Sequence, residues 1–121
     1  MKVVVTGASG FIGMPVIKML SDAGFKVLAI SRTIHELSEY KNISFLKADL
    51  SNPKTYRKKV KLFSPRILIH LAWQDIPDFS LEKSQKNIEQ SLDIVSFIAS
   101  LGCCQKMIFS GSCMEYDVLD G

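Results

Sequence analysis

Thr6-Gly7-Ala8-Ser9-Gly10-Phe11-Ile12-Gly13 joins two segments of different periodicity and decides the fold. In front of it, Lys2 to Thr6 is a short β-branched run without polar alternation, the pattern of a parallel strand buried on both faces. Behind it, Phe11 to Ala23 carries Ile12, Val16, Met19 and Leu20 at helical spacing, and Gly24 closes the segment. A glycine-rich turn at this junction gathers bare backbone amides and the positive end of a helix dipole, which suits an anion. Gly7 permits the tight turn off the strand, Gly10 lets the backbone approach a pyrophosphate, and Gly13 lets the helix pack close to the sheet. The spacing is GxxGxxG instead of GxGxxG, so placement between strand and helix is what points to a dinucleotide. Pro15 is irregular: lying just past the first turn, it is expected to remove one helical hydrogen bond.

Strands and helices keep alternating from there. Lys26 to Ile30 and Ile43 to Leu46 are a second and a third apolar run, with Thr33 to Tyr40 between them as a short, weak helix candidate. Ser51-Asn52-Pro53 reads as a cap with proline in the first turn of a basic helix ending near Phe63, and Pro65 starts a fresh segment. Ile67 to Leu71 is a fourth strand. Leu81 to Leu101 is the longest helix, with Ile88, Leu92, Val95 and Ala99 in one stripe that Ile94 and Ile98 broaden. That width predicts burial against a sheet. Gly102 ends the helix, and Met107 to Ser110 is a fifth strand. Such alternation implies an α/β fold: a doubly wound parallel sheet with helices on both faces, right-handed connections and the strand order 3-2-1-4-5.

With 121 residues, 47% hydrophobic and 22% charged, the chain has the composition of one globular domain, which excludes disorder, collagen and coiled coil. It is long enough for one core and too short for a nucleotide domain plus a substrate domain. Fifteen Lys and Arg against twelve Asp and Glu leave +3, which suits a phosphate-bearing ligand and is far from a nucleic-acid footprint. Cys103, Cys104 and Cys113 form neither a disulfide framework nor a metal spacing, so reduced thiols and no metal are expected. The apolar start is too short for a signal peptide and no segment reaches the ~18 apolar residues of a membrane helix. A cytoplasmic protein without a membrane partner is the expectation.

Thr6-Gly7-x-x-Gly10-Phe11-Ile12-Gly13 resembles the TGxxGFIG signature of the extended short-chain dehydrogenase/reductases, the NAD-dependent epimerase/dehydratase family that mostly acts on nucleotide sugars. Further matches are Asp49-Leu50 after the third strand, His70-Leu71-Ala72 ending the fourth, Asn87 in the long helix and Ser110-Gly111-Ser112 ending the fifth. The resemblance implies that residues 1–121 are a Rossmann dinucleotide-binding domain, incomplete after the fifth strand and lacking its substrate domain. Within the turn it makes Ser9, Phe11 and Ile12 cofactor contacts beside the three glycines. It also assigns Asp49 to the adenine amino group, with Leu50 contributing its backbone, and lines the cofactor with Leu71 and Ala72.

Several positions keep two readings. Asp49 is either that adenine contact or a helix cap for the segment after Leu50. The end of the second strand holds Ser31 and Arg32 where an acid would select a ribose 2′-hydroxyl; a hydroxyl and a guanidinium suit a 2′-phosphate, so NADP is expected over NAD. An ordinary surface charge is the alternative for Arg32. His70 reads as a hydrogen-bonded core residue in preference to a catalytic one. Trp73 either stacks on a sugar or covers the pocket rim. Asn87, counted with the cofactor residues, helps hold active-site strands and water in relatives, or is a solvated helix residue. Gln90 stands where many relatives have Gly, and Cys113 has no histidine in reach to make it a nucleophile.

The family's chemistry is done by the Tyr and Lys of a YxxxK helix, with a Ser at the end of the fifth strand polarising the reacting oxygen. Ser112 matches that serine; Tyr116 is followed four residues later by Asp120 in place of Lys, so YxxxK is absent. The resemblance therefore implies the N-terminal part of an NAD(P)-dependent nucleotide-sugar epimerase, dehydratase or reductase, inactive by itself, and leaves room for a homodimer. A dinucleotide-sensing relative and a ligand-free pseudo-enzyme fragment are the alternatives.

Overall fold

The computed structural model describes residues 1–33 and 40–111. Its described elements run β1 (Lys2–Thr6), α1 (Gly13–Asp22), β2 (Lys26–Ser31), β3 (Ile43–Lys47), a 3-10 turn (Pro53–Thr55), α2 (Arg57–Phe63), β4 (Ile67–His70), α3 (Leu81–Ser100) and β5 (Lys106–Phe109). The strands form one parallel sheet in the order β3-β2-β1-β4-β5, the order that the alternation predicts. Crossing from β1 to both neighbours places a crevice above its C-terminal end, where doubly wound sheets bind ligands.

β1 lies centrally, and its Val3, Val4 and Val5 are fully buried, as an unalternated run requires. Side chains of alternate parity serve two cores. On one face Val3, Val5, Val27 and Ala29 pack against Ile17 of α1. On the other Val4, Leu28, Ile30 and Leu68 pack against Tyr56 and Val60 of the α2 region and Ile94 and Ile98 of α3. Gly24 and Gly102 both take positive φ just past helix ends, as left-handed closures do.

Three expectations change in detail, and a fourth falls outside the described residues. α1 starts at Gly13, two residues later than the periodicity suggests, so Pro15 falls in the first turn, where an amide has no helical acceptor to lose. The basic helix is broken: Pro53–Thr55 is a 3-10 turn and α2 begins only at Arg57. Tyr56, at φ −124, interrupts it, and the Thr55 hydroxyl instead donates to the Asn52 and Asp49 carbonyls. The third change concerns α3. Its buried residues are Asn87, Ile94 and Ile98, whereas Ile88 and Leu92 are 50% and 60% exposed. Ile94 and Ile98 face the sheet as expected, with Val95 packed beside them, but Ile88 and Leu92 lie on the outer side, because the polar Asn87 and Ser91 occupy the sheet side there and satisfy their hydrogen bonds. Finally, the helix candidate between Thr33 and Tyr40 falls largely on 34–39, outside the described residues.

Candidate functional site

A cleft of about 400 Å³ opens above the C-terminal ends of the strands, in the size range of small-molecule sites. Its first wall is the turn from β1 to α1. Gly7 has φ +67, and a Cβ there would stand 2.8 Å from the Ala72 nitrogen and from the Leu71 carbonyl carbon. Only glycine fits. At Gly13 a Cβ would stand 2.2 Å from the Gly7 carbonyl oxygen, so this residue lets the helix start close against the turn itself and not, as expected, against the sheet. Gly10 is different: a Cβ there meets only the Gly7 oxygen at 3.2 Å, and the rest of its surroundings are open.

The turn is stitched by Gly10 N–H donating to the Gly7 carbonyl and Met14 N–H to the Gly10 carbonyl. Among the described residues, the Phe11, Ile12 and Gly13 amides find no acceptor in the chain, and α1 has neither a side-chain cap nor an acidic residue in its first turn. The helix N-terminus therefore presents free donors and its dipole to the cleft. Ser9, Phe11 and Ile12 line the cleft with the glycines, Phe11 being 98% exposed at its mouth.

The facing wall is the exit of β4. Leu71, Ala72, Trp73 and Gln74 line it, backed by Asn87, Gln90 and Ser91 of α3. Asn87 is buried and clamps the exit: its Oδ1 accepts the Gln74 N–H at 2.7 Å, and its Nδ2 donates to the Gln74 carbonyl at 3.1 Å. That excludes the solvated reading. Gln90 accepts from Gln74 Nε2 at 2.9 Å, so the side chain that replaces the relatives' glycine adds a tie here. His70 is 6% exposed and bonded on both nitrogens, to Thr6 Oγ1 and Ser91 Oγ, and burial holds it below the usual histidine pKa. It is the satisfied core residue expected.

At the end of β2, Ser31 and Arg32 both line the cleft. Ser31 is buried and its hydroxyl donates to the Thr33 carbonyl, so of the two side chains Arg32 is the one that offers a charge at that corner. Ala48 and Leu50 lie in the wall, while the Asp49 carboxylate accepts from Ser51 N–H and Oγ at 2.9 and 2.8 Å, a local turn and not the helix cap of its second reading, because the 3-10 turn that follows starts after Asn52 and has no side-chain cap. These Ser51 bonds, with Arg32 nearby, hold Asp49 below the ordinary carboxylate pKa. Trp73 is 41% exposed on the rim. Ser112 and Cys113 lie outside the described residues; Cys103 and Cys104 are free thiols. Among the described residues there is no cluster of metal-binding side chains and no helix long and apolar enough to cross a membrane.

Thr6, Gln74 and Ser91 are absent from the sequence-based expectations for the site. Their partners lie 64, 13 and 21 residues away, beyond the reach of any local motif. One signal does exist: Asn87, Ser91, Ile94 and Ile98 fall on one helical face, and a polar pair in line with buried isoleucines implies buried partners.

The model of the NAD dependent epimerase/dehydratase family matches residues 3–121. A UDP-glucose 4-epimerase from Thermotoga maritima, solved with UDP-glucose, superposes with TM-score 0.76 at 24% identity, over 93% of this chain and 38% of that one. An ADP-L-glycero-D-manno-heptose-6-epimerase from Helicobacter pylori gives 0.80 at 19% identity, over 99% and 42%. A short chain dehydrogenase from Leptospira borgpetersenii with bound NAD+ gives 0.76 at 19%, over 98% and 54%. At such identities the likeness is one of fold, and this chain spans between 38% and 54% of their lengths. No curated protein matches the chain at a significant level.

Proposed function

The chain belongs to the NAD dependent epimerase/dehydratase family, and from that premise we propose that it is the N-terminal, dinucleotide-holding part of a nucleotide-sugar epimerase, dehydratase or reductase. The observation that carries the reading is the uncapped turn, with the Phe11, Ile12 and Gly13 amides free and Gly10 open to close approach. These are the donors a pyrophosphate needs. Solved structures of this fold hold NAD+ and UDP-glucose, which supports both halves of the reading.

In this reading Gly7, Ser9, Gly10, Phe11, Ile12 and Gly13 hold the pyrophosphate. Leu50 offers its backbone to the adenine, and Asp49 keeps one carboxylate oxygen for it beside the one bonded to Ser51. Leu71, Ala72 and Asn87 support the middle of the cofactor along the β4 exit. Arg32 reaches the ribose, and with no acid at the end of β2 it favours a 2′-phosphate, hence NADP. When bound, the nicotinamide supplies hydride exchange with a sugar carbon. Ser112 would hydrogen-bond the reacting oxygen. A serine hydroxyl cannot by itself take up the accompanying proton, so without the tyrosine and lysine the 121 residues do not turn over.

Calorimetry tests the reading. NADP or NAD is expected to bind, and Gly10→Val to abolish binding by filling the approach to the amides. Equal binding by the variant overturns it. Hydride transfer by the 121-residue chain on any nucleotide sugar, above a heat-killed control, would overturn the argument from the missing pair.

A further inference from the structure

We propose that His70 is a positioning residue of the cleft: fixed as the Nε2–H tautomer between Thr6 and Ser91, it holds the Thr6 hydroxyl so that its oxygen faces the Leu71 and Ala72 amides, and thereby seats the β4 exit against the glycine turn. The proposal rests on the dinucleotide reading of that cleft.

Both ends of the hydrogen-bond chain decide the tautomer independently. Ser91 Oγ donates its one proton to the Asn87 carbonyl at 2.7 Å, so toward His70 Nε2, at 2.8 Å, it can only accept. Nε2 must carry the ring proton. At the other end Thr6 Oγ1 accepts from the Leu71 and Ala72 N–H groups, each at 3.3 Å, the Leu71 N–H being shared with the Thr6 carbonyl. Two acceptor sites of a hydroxyl are thereby taken, and only its own proton remains for Nδ1 at 2.7 Å. Nδ1 is therefore bare. The chain runs without a break from the Ala72 amide through Thr6, His70 and Ser91 to α3.

What it positions follows from Gly7. The β4 exit sits so close that a Cβ on Gly7 would lie 2.8 Å from the Ala72 nitrogen, so a shift of the exit by a fraction of an ångström moves the wall facing the free amides. Protonation of His70 would place a third donor on Thr6 Oγ1, and the hydroxyl would have to release the exit. Among the described residues, the groups facing the ring are Thr6 from β1, the Phe109 ring from β5 at 6.1 Å between centroids, and Ser91 from α3. None of these titrates, and burial is what resists protonation of the ring.

The test is a long-range proton–nitrogen-15 correlation on the protein labelled at histidine; a His35→Gln variant leaves His70 as the sole histidine. A single Nε2–H tautomer is expected at neutral pH. Thr6→Val should leave the ring Nε2–H, since Ser91 still requires it, while exchange of the Leu71 and Ala72 amides becomes faster by about tenfold and NADP binding weaker by a similar factor, the size of one lost hydrogen bond. Thr6→Ser should restore both. A wild-type ring that is charged, Nδ1–H or averaged between tautomers overturns the proposal, and so does unchanged amide exchange in Thr6→Val. Should Thr6→Val not fold, the wild-type tautomer decides alone. Gly10→Val separates the two readings: it removes dinucleotide binding without changing the tautomer, so an absent binding signal in the wild type counts against the function and not against His70.

Discussion

The turn from Gly7 to Gly13 and the exit from His70 to Gln74 face each other across one cleft and are built by opposite means. The glycine wall achieves its shape by lacking side chains. Its tolerances are steric, with backbone atoms where a Cβ on Gly7 or Gly13 would stand. The β4 wall achieves its shape with side chains, as Thr6, His70, Asn87, Gln90 and Ser91 converge on four residues of irregular backbone. The difference teaches which errors each wall can absorb: a steric wall fails on addition of atoms, a hydrogen-bonded wall on their removal.

The largest expected effect tests the first half of that contrast. Gly13→Ala should destabilise by about 3 kcal/mol in chemical denaturation, since its Cβ would stand 2.2 Å from the backbone oxygen of Gly7. A loss below about 1 kcal/mol would show that the turn yields, and the contrast would break. Next comes removal from the other wall. Asn87→Ala should cost about 2 kcal/mol by leaving the Gln74 amide and carbonyl without their partner, while Ile88→Ser, one residue along on the outer face, should change stability by less than about 0.5 kcal/mol. If Ile88 costs more than Asn87, the assignment of helix faces is reversed.

The mouth of the cleft belongs to neither wall and sharpens the comparison by isolating charge. Ser31→Asp with Arg32→Ala should swing cofactor preference from NADP to NAD by roughly tenfold or more in Kd, read by titration of both nucleotides. A wild-type protein that already prefers NAD would remove charge selection from this corner. The smallest effect is that of pH. Because the buried His70 has its pKa lowered below 6.5, the folded state binds fewer protons than the unfolded one as pH falls past that value. Stability contributed by the neutral ring is then full above about pH 6.5 and lost progressively below it, and His70→Gln should flatten that part of the denaturation profile.

The glycine turn was legible because its logic is local: strand, bare turn and helix lie within two dozen residues, and Gly13 answers a constraint set by Gly7 and Ala8, although the close approach at Gly7 is to Leu71 and Ala72 of the distant β4 exit. The strand order was legible for the same reason, since alternation of short apolar runs with helices leaves few ways to wind a sheet. Reading α3 by its apolar stripe held at Ile94 and Ile98 and failed nearer the N-terminus of the helix. Ile88 and Leu92 carry the apolar period, but Asn87 and Ser91 carry the contacts, and hydrophobicity scores cannot see a buried polar residue whose partner arrives from another strand.

Asp49 and Ser31 show the remaining limit from the side of chemistry. Sequence supplied a carboxylate and a hydroxyl at the right strand ends; the folded chain turned one oxygen of Asp49 to Ser51 and the Ser31 hydroxyl to the Thr33 carbonyl. The sequence by itself determined the winding of the sheet, the glycine turn and the family, because these follow from spacing and sterics over short stretches. Only the tertiary structure decided which polar atoms are free for a ligand and which are consumed in holding the walls, because a hydrogen-bonding group is spent on whichever partner folding brings within about 3 Å.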